Sequence, residues 1–317
     1  MKYRQEEDSL GIVNVPANHF WGAQTERSLE NFPQEVEKMP HSQIMAIASI
    51  KRCAAIVNNK EKKLDDNKKD LIVKACDRIL KGEFDNEFPL TVWQTGSGTQ
   101  TNMNVNEVIS HIANENEKII HPNDHVNMSQ SSNDVFPTAM HLSTYKNLSE
   151  KLLEELPKTI DTIKKLEDEN ENIIKTGRTH LQDATPLKLS QEISAWRVCL
   201  ERDLKVLKEV KEELTYLAIG GTAVGTGINA KKEFGDEMAK ELSDFYGYEF
   251  KSDENKFYQL SSKSALVNVH GTIKSLATDL YKIANDIRFL SCGPRCGISE
   301  LIIPANEPGS SIMPGKV

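Results

Sequence analysis

ISAWRVCLERDLKVLKEVKEELTYL, residues 193–217, decides the fold class. Its apolar residues Ile193, Trp196, Leu200, Leu204, Leu207, Val210, Leu214 and Leu217 fall three or four apart, the spacing of one helix face. Charged side chains fill the gaps, so the stretch predicts a long helix with a single apolar stripe. Residues 266–290 repeat the pattern with Leu266, Val269, Ile273, Leu276, Leu280, Ile283, Ile287 and Leu290, and Gly293-Pro294 ends it. Such helices need neighbours of equal length to bury their stripes.

Working outward, a third helix is predicted to start near Asp134. It carries Pro137 in its first turn, where a missing N–H is harmless, and runs past Leu153 to a kink at Pro157. Leu71, Ile72, Ala75, Cys76, Ile79 and Leu80 predict another, stopped by Gly82. Residues 1–40, punctuated by Gly11, Pro16, Gly22, Pro33 and Pro40, read as turns and short extended pieces, and strand signals are weak throughout. The expected architecture is mainly α: a mixed N-terminal domain over residues 1–135, then a bundle of long helices over residues 136–317.

The 317 residues allow two or three packed units. Lys plus Arg is 39 against 47 for Asp plus Glu, a net charge of -8 that repels polyanions, so no nucleic-acid partner is expected. No apolar run approaches the roughly 20 residues that span a bilayer. The opening MKYRQEEDSLG lacks the blocks of a signal peptide, which together predict a cytoplasmic protein without a membrane partner. Cys53, Cys76, Cys199, Cys292 and Cys296 are scattered and form no CxxC pair, so they are expected to be reduced thiols without chemistry. The 8 histidines show no HxH or HExxH spacing, and no metal site is expected.

Between the helices lie loops rich in hydroxyls and amides: Thr95–Asn102, Ser129–Asp134, Gly177–Asp183 and Gly309–Lys316. Such side chains, with N–H groups freed by glycine, suit a small anion, above all where a helix follows at once. That holds for Thr99–Asn102 and for Ser132, Asn133 and Asp134, although the same residues also cap helices that bind nothing. Gly309–Lys316 lacks Walker spacing, and Gly220–Gly227 lacks GxGxxG spacing, so no nucleotide or dinucleotide cofactor is expected. His180 sits in a polar turn between Thr179 and Gln182, beside Arg178 and Asp183, where an imidazole can carry a proton near neutral pH. His121, in His121-Pro-Asn-Asp124, is accounted for by local turn chemistry alone.

Taken together, these loops resemble the fumarase/aspartase superfamily and, within it, the class II fumarate hydratases. The signature Gly-Ser-Ser-x-Met-Pro-x-Lys-x-Asn runs from Gly309 to Val317, and similar stretches occur at Thr91–Glu107, His121–Met140, Gly177–Pro186, Gly220–Asn229 and Gly293–Lys316. His180-Leu-Gln and Pro314-Gly-Lys316 resemble the fumarase branch more than the aspartase branch. The resemblance implies an L-aspartase/fumarase-like fold and the reversible anti addition of water to fumarate, giving L-malate, without a cofactor. It implies Ser311 as the base that removes the C3 proton and His180, with Thr179, as the group that positions and protonates the departing hydroxyl. Lys316, Ser97, Thr99, Ser131, Ser132 and Asn133 would bind the substrate carboxylates. A second dicarboxylate site maps onto His121, Asn123 and Asp124. A homotetramer, with each active site built from loops of three subunits, is the implied assembly. Two other readings stay open: an ammonia lyase of the aspartase type, and a non-catalytic structural or interaction protein that retains the fold.

Class II fumarases continue well beyond the position of Val317, so the chain reads as a fragment. The continuation would supply the Asn that closes the signature, a substrate ligand, and a Glu that pairs with the histidine. Without those helices, exposed stripes are expected to drive association.

Overall fold

The computed structural model describes residues 2–33, 37–313 and 315–316. The chain first forms an antiparallel hairpin, β1 (Tyr3–Asp8) and β2 (Gly11–Pro16), and then α1 (Ala23–Asn31). Where the sequence reads only turns and extended pieces, this is a helix. Its buried face is Ala23, Thr25 and Ser28, too small and polar to register as an apolar stripe. The core helix α2 (His41–Lys60) is buried nearly all round, with Ile44, Ile47, Ile50, Ala54 and Val57 in the core. Helix α3 (Asp66–Leu80) starts where the Asp65 carboxylate accepts from Lys68 N at 2.9 Å, and it stops before Gly82 at φ +81°.

Next come α4 (Thr99–Ala113) and α5 (Ser132–Asn147). The kink expected at Pro157 begins earlier. Residues Leu148–Leu152 form a π-helical turn, and α6 (Leu153–Glu169) carries Pro157 inside its first turns. Proline has no N–H and crowds the carbonyl four residues before it, and the wider turn just upstream absorbs that misfit. A second antiparallel hairpin follows, β3 (Ile174–Thr179) and β4 (Gln182–Lys188), running directly into α7 (Leu189–Lys211). Helix α7 is shorter than its sequence stripe, because residues 212–215 tighten into a 3-10 turn and β5 (Tyr216–Leu217) begins. Then come α8 (Phe234–Tyr246), β6 (Lys251–Ser252), α9 (Lys256–Ser261) and α10 (Ser264–Leu290). Strand β6 pairs in parallel with β5.

Two compact units divide the chain. The first is Met1–Asn147 with Glu212–Leu266, and the second is Leu148–Lys211 with Val267–Val317. In the first, α2 is central, packed on α3, α4, α5 and α8. In the second, α6 packs along α7, and Trp196 of α7, fully buried, donates from Nε1 to Asp286 of α10 at 3.0 Å. The stripe on α10 divides into two lines. Val269, Leu276, Ile283 and Leu290, seven apart, are buried, whereas Ile273 and Leu280 remain 36% and 41% exposed. Half of a coiled-coil seam is thus covered within the chain and half is free. No helix among the described residues is long and apolar enough to cross a membrane.

The two lines should respond differently to truncation. In the 317-residue chain, Leu276→Ala should cost about 2–5 kcal/mol of unfolding free energy and Leu280→Ala less than about 1 kcal/mol. Urea denaturation measures both, and equal losses would contradict the division of the seam.

Candidate active site

In the first unit, α4 begins where Gly98, at φ +73°, turns the chain. A Cβ there would lie 2.2 Å from Phe136 Cγ, so only glycine lets the first turn of α4 rest on the first turn of α5. Asn102 Nδ2 ties the two turns together by donating to Ser132 Oγ at 3.0 Å. The Ser97 hydroxyl lies 3.2 Å from both Thr95 Oγ1 and Thr99 Oγ1. At the start of α5, Ser131 N donates to Asp134 Oδ1 at 2.9 Å, and Ser131 Oγ accepts from Asn133 N at 3.2 Å.

The carboxylate of Asp134 is fully buried, and burial pushes its pKa upward against the backbone N–H groups that hold its charge. Two of those donors, Gly220 N at 3.1 Å and Thr222 N at 2.9 Å, belong to the Gly-rich segment 220–227, which wraps this carboxylate. Asn133 Nδ2 reaches the same segment at Ala223 O, 2.7 Å away.

A cavity of about 590 Å³ opens at this junction, lined among others by Thr99, Ser131, Ser132, Asn123, Asp124 and Asn127. The unit thus brings three of the predicted carboxylate-binding residues together with two of those predicted for a second site. Ser97 and Asn133 flank the group without lining the cavity. His121 and Asn123 line another cavity, of about 780 Å³, that also receives Arg4 and Lys118. His121 Nδ1 accepts from Asp124 N at 3.2 Å, and its own backbone N–H donates to His125 Nδ1 at 2.9 Å, so its turn chemistry is made as well.

In the second unit, Thr179 and His180 form the tip of the β3–β4 hairpin. His180 at φ +49° and Leu181 at φ +63° are the two central residues of the tight turn, and His180 is exposed. Gly177 lies where the register shifts, and a Cβ there would sit 2.5 Å from Thr185 O. Arg178 donates to Glu300 at 2.7 Å, and Lys175 pairs with Glu300 at 2.9 Å, fastening the hairpin to the segment that leads into the Gly309 loop. That loop closes on itself: Lys316 N donates to Glu307 O at 2.6 Å, and Asn306 N to Lys316 O at 2.7 Å. Ser311 and the Lys316 side chain are exposed on it. Among the described residues no hydrogen bond joins Ser311 to His180. Pro314 and Val317 of the signature lie outside the described residues.

Two helix N-termini with hydroxyls and amides at one cavity are parts suited to a small anion. Comparison with known proteins identifies the family. Residues 11–317 match the profile of the family described as Lyase. The chain is 58% identical over 323 residues to Fumarate hydratase class II of Staphylococcus epidermidis, covering 100% of this chain and 70% of that protein. The chain belongs to the class II fumarate hydratase family. Class II fumarase from Schistosoma mansoni shares its fold with a TM-score of 0.95 at 45% identity, over 100% of this chain and 71% of that one. A fumarate lyase:delta crystallin from Brucella melitensis gives 0.92 at 41%, over 100% and 70%.

Within this family member, some residues that shape the cavity were not singled out by sequence reasoning. Asn127 and Gln130 line it, and Lys51 of α2 holds both from below. The available signal was the pair Lys51-Arg52 inside the otherwise mostly apolar stretch Ile44–Val57.

Gly98→Ala should destabilise the chain by about 2–4 kcal/mol, combining a strained φ with overpacking against Phe136. An unchanged urea midpoint would show that the two helix starts are not pinned at this glycine.

Proposed function

We propose that the complete protein hydrates fumarate reversibly to L-malate, as the names of its relatives suggest. Supporting this reading above all is the cavity of the first unit, where Thr99, Ser131 and Ser132 stand at two helix starts. In the malate direction, the Ser311 oxygen takes a proton from C3 and leaves an electron pair that spreads onto the adjacent carboxylate. The C2–O bond then breaks, and the hydroxyl leaves as water with a proton from His180, directly or through a water. Thr179 sits beside His180 to orient that group. Ser97, Thr99, Ser131, Ser132, Asn133 and Lys316 neutralise the carboxylates, with the greatest benefit where charge accumulates.

His121, Asn123 and Asp124 form a second dicarboxylate position beside the first. The working site is assembled between copies in a homotetramer, with loops from three subunits. The uncovered Ile273 and Leu280 line on α10 suits such an association. A small cytoplasmic dicarboxylate is the substrate, and no membrane or nucleic-acid partner is required.

An ultraviolet assay on the full-length protein, offered L-malate and separately L-aspartate, should show the fumarate double bond growing with malate alone. Ser311→Ala and His180→Asn should each lower turnover at least about a hundredfold. Growth with aspartate would replace hydration by ammonia elimination, and near-normal turnover in either variant would remove that residue from its role. Sedimentation of the full-length protein should give a tetramer, and an active monomer would contradict the shared site.

A further inference from the structure

Lys51 stands in the middle of α2 with no solvent exposure. Its ammonium donates to Asn127 Oδ1 at 2.7 Å and to Gln130 Oε1 at 3.0 Å. Both acceptors are neutral amide oxygens. A leucine or methionine would fill the same space with no charge to desolvate, so the lysine is a costly choice for packing alone.

Its position relative to the cavity supplies a reason. Asn127 and Gln130 line the cavity beside Ser131 and Ser132. Asn102 Nδ2 lies 3.3 Å from Asn127 Oδ1 and 3.0 Å from Ser132 Oγ. A chain of polar contacts therefore runs from the Lys51 ammonium through Asn127 and Asn102 to a hydroxyl of the cavity wall. Two titratable groups act on the ammonium: Asp134 at the start of α5 and Cys76 on α3. Asp134 already receives N–H donors from Ser131, Gly220 and Thr222, and the buried Cys76 thiol is pushed upward and stays neutral.

We propose that Lys51 is a positioning residue for the dicarboxylate: it fixes Asn127 and Gln130 at the entry to the Ser129–Asp134 loop and places a buried positive charge under the cavity without touching the ligand. This rests on the reading that the cavity takes a dicarboxylate dianion.

Burial holds the Lys51 ammonium down to about 7, from an ordinary value of 10.5. The empty site then carries the charge below that pH and loses it above. An arriving dianion favours the charged form, so binding above pH 7 draws a proton into the protein, and affinity falls as pH rises.

The test uses the full-length protein with Lys51→Met and Lys51→Arg. Fumarate hydration is followed across neutral pH, and succinate, a dicarboxylate without the double bond, is titrated calorimetrically in two buffers of different ionisation heat. Lys51→Met should raise KM for fumarate about tenfold or more while kcat changes less than about threefold. Lys51→Arg, which cannot lose its charge, should recover much of the affinity and flatten its pH dependence. Wild-type protein at about pH 8 should take up a fraction of a proton on binding succinate; uptake should persist in His180→Asn and vanish in Lys51→Arg.

Unchanged KM and pH profile in Lys51→Met would overturn the proposal. So would a Lys51→Arg variant whose affinity for succinate is no better than that of Lys51→Met, since restoring the charge would then restore nothing. Wild-type protein inactive on fumarate would bring down the dicarboxylate reading itself, whereas active wild type with an indifferent Lys51→Met overturns the role of Lys51 alone.

Discussion

The contact on which the site depends is the seating of Gly98 on the ring of Phe136. It places the first turn of α4 against the first turn of α5, with no room for a side chain between them. Each helix start carries N–H groups that its own helix cannot satisfy, and partial positive charge accumulates there. Bringing two such ends together is unfavourable unless anions or polar side chains answer them. Asp134 answers one end from within the protein, and the cavity lined by Thr99, Ser131 and Ser132 is placed to receive a further anion.

Buried charge elsewhere in the first unit serves the same geometry. Glu107 of α4 accepts from Gly22 N at 2.9 Å, Gln24 N at 2.8 Å and Thr25 Oγ1 at 2.5 Å, pinning the start of α1 to the side of α4. Burial pushes this carboxyl upward, and the converging donors oppose that rise. Polar groups in the unit thus form a frame that fixes α1, α4, α5 and the 220–227 segment, while the apolar packing of the unit centres on α2.

How much of this was legible in the sequence follows from which force holds each element. The helices α3, α7 and α10 are held by apolar stripes, and spacing alone revealed them; Gly82 marked the end of α3 by its left-handed conformation. The hairpin β3–β4 was missed because β3, IKTGRT, is mostly half-buried, β4, QDATPLK, is mostly exposed, and neither sequence shows an apolar alternation. Its register depends on Gly177 and on two positive-φ residues, one of them a leucine. The break between α5 and α6 was placed too late because Pro157 marks the cause, while the backbone adjusts one turn before it. Loop composition flagged Thr99, Ser131 and Ser132 for anion binding, but their meeting at one cavity depends on packing between elements, which spacing does not encode. Nor does spacing encode Lys51, whose importance comes from burial.

The central claim is that these loops serve the addition of water across the double bond of a dicarboxylate. The most direct measurement is nuclear magnetic resonance of the product formed from fumarate in heavy water by the full-length protein. The account predicts L-malate carrying one deuterium at C3 in a single diastereomer, that of anti addition. A product with deuterium in both C3 positions, the syn diastereomer, or no malate at all would contradict it.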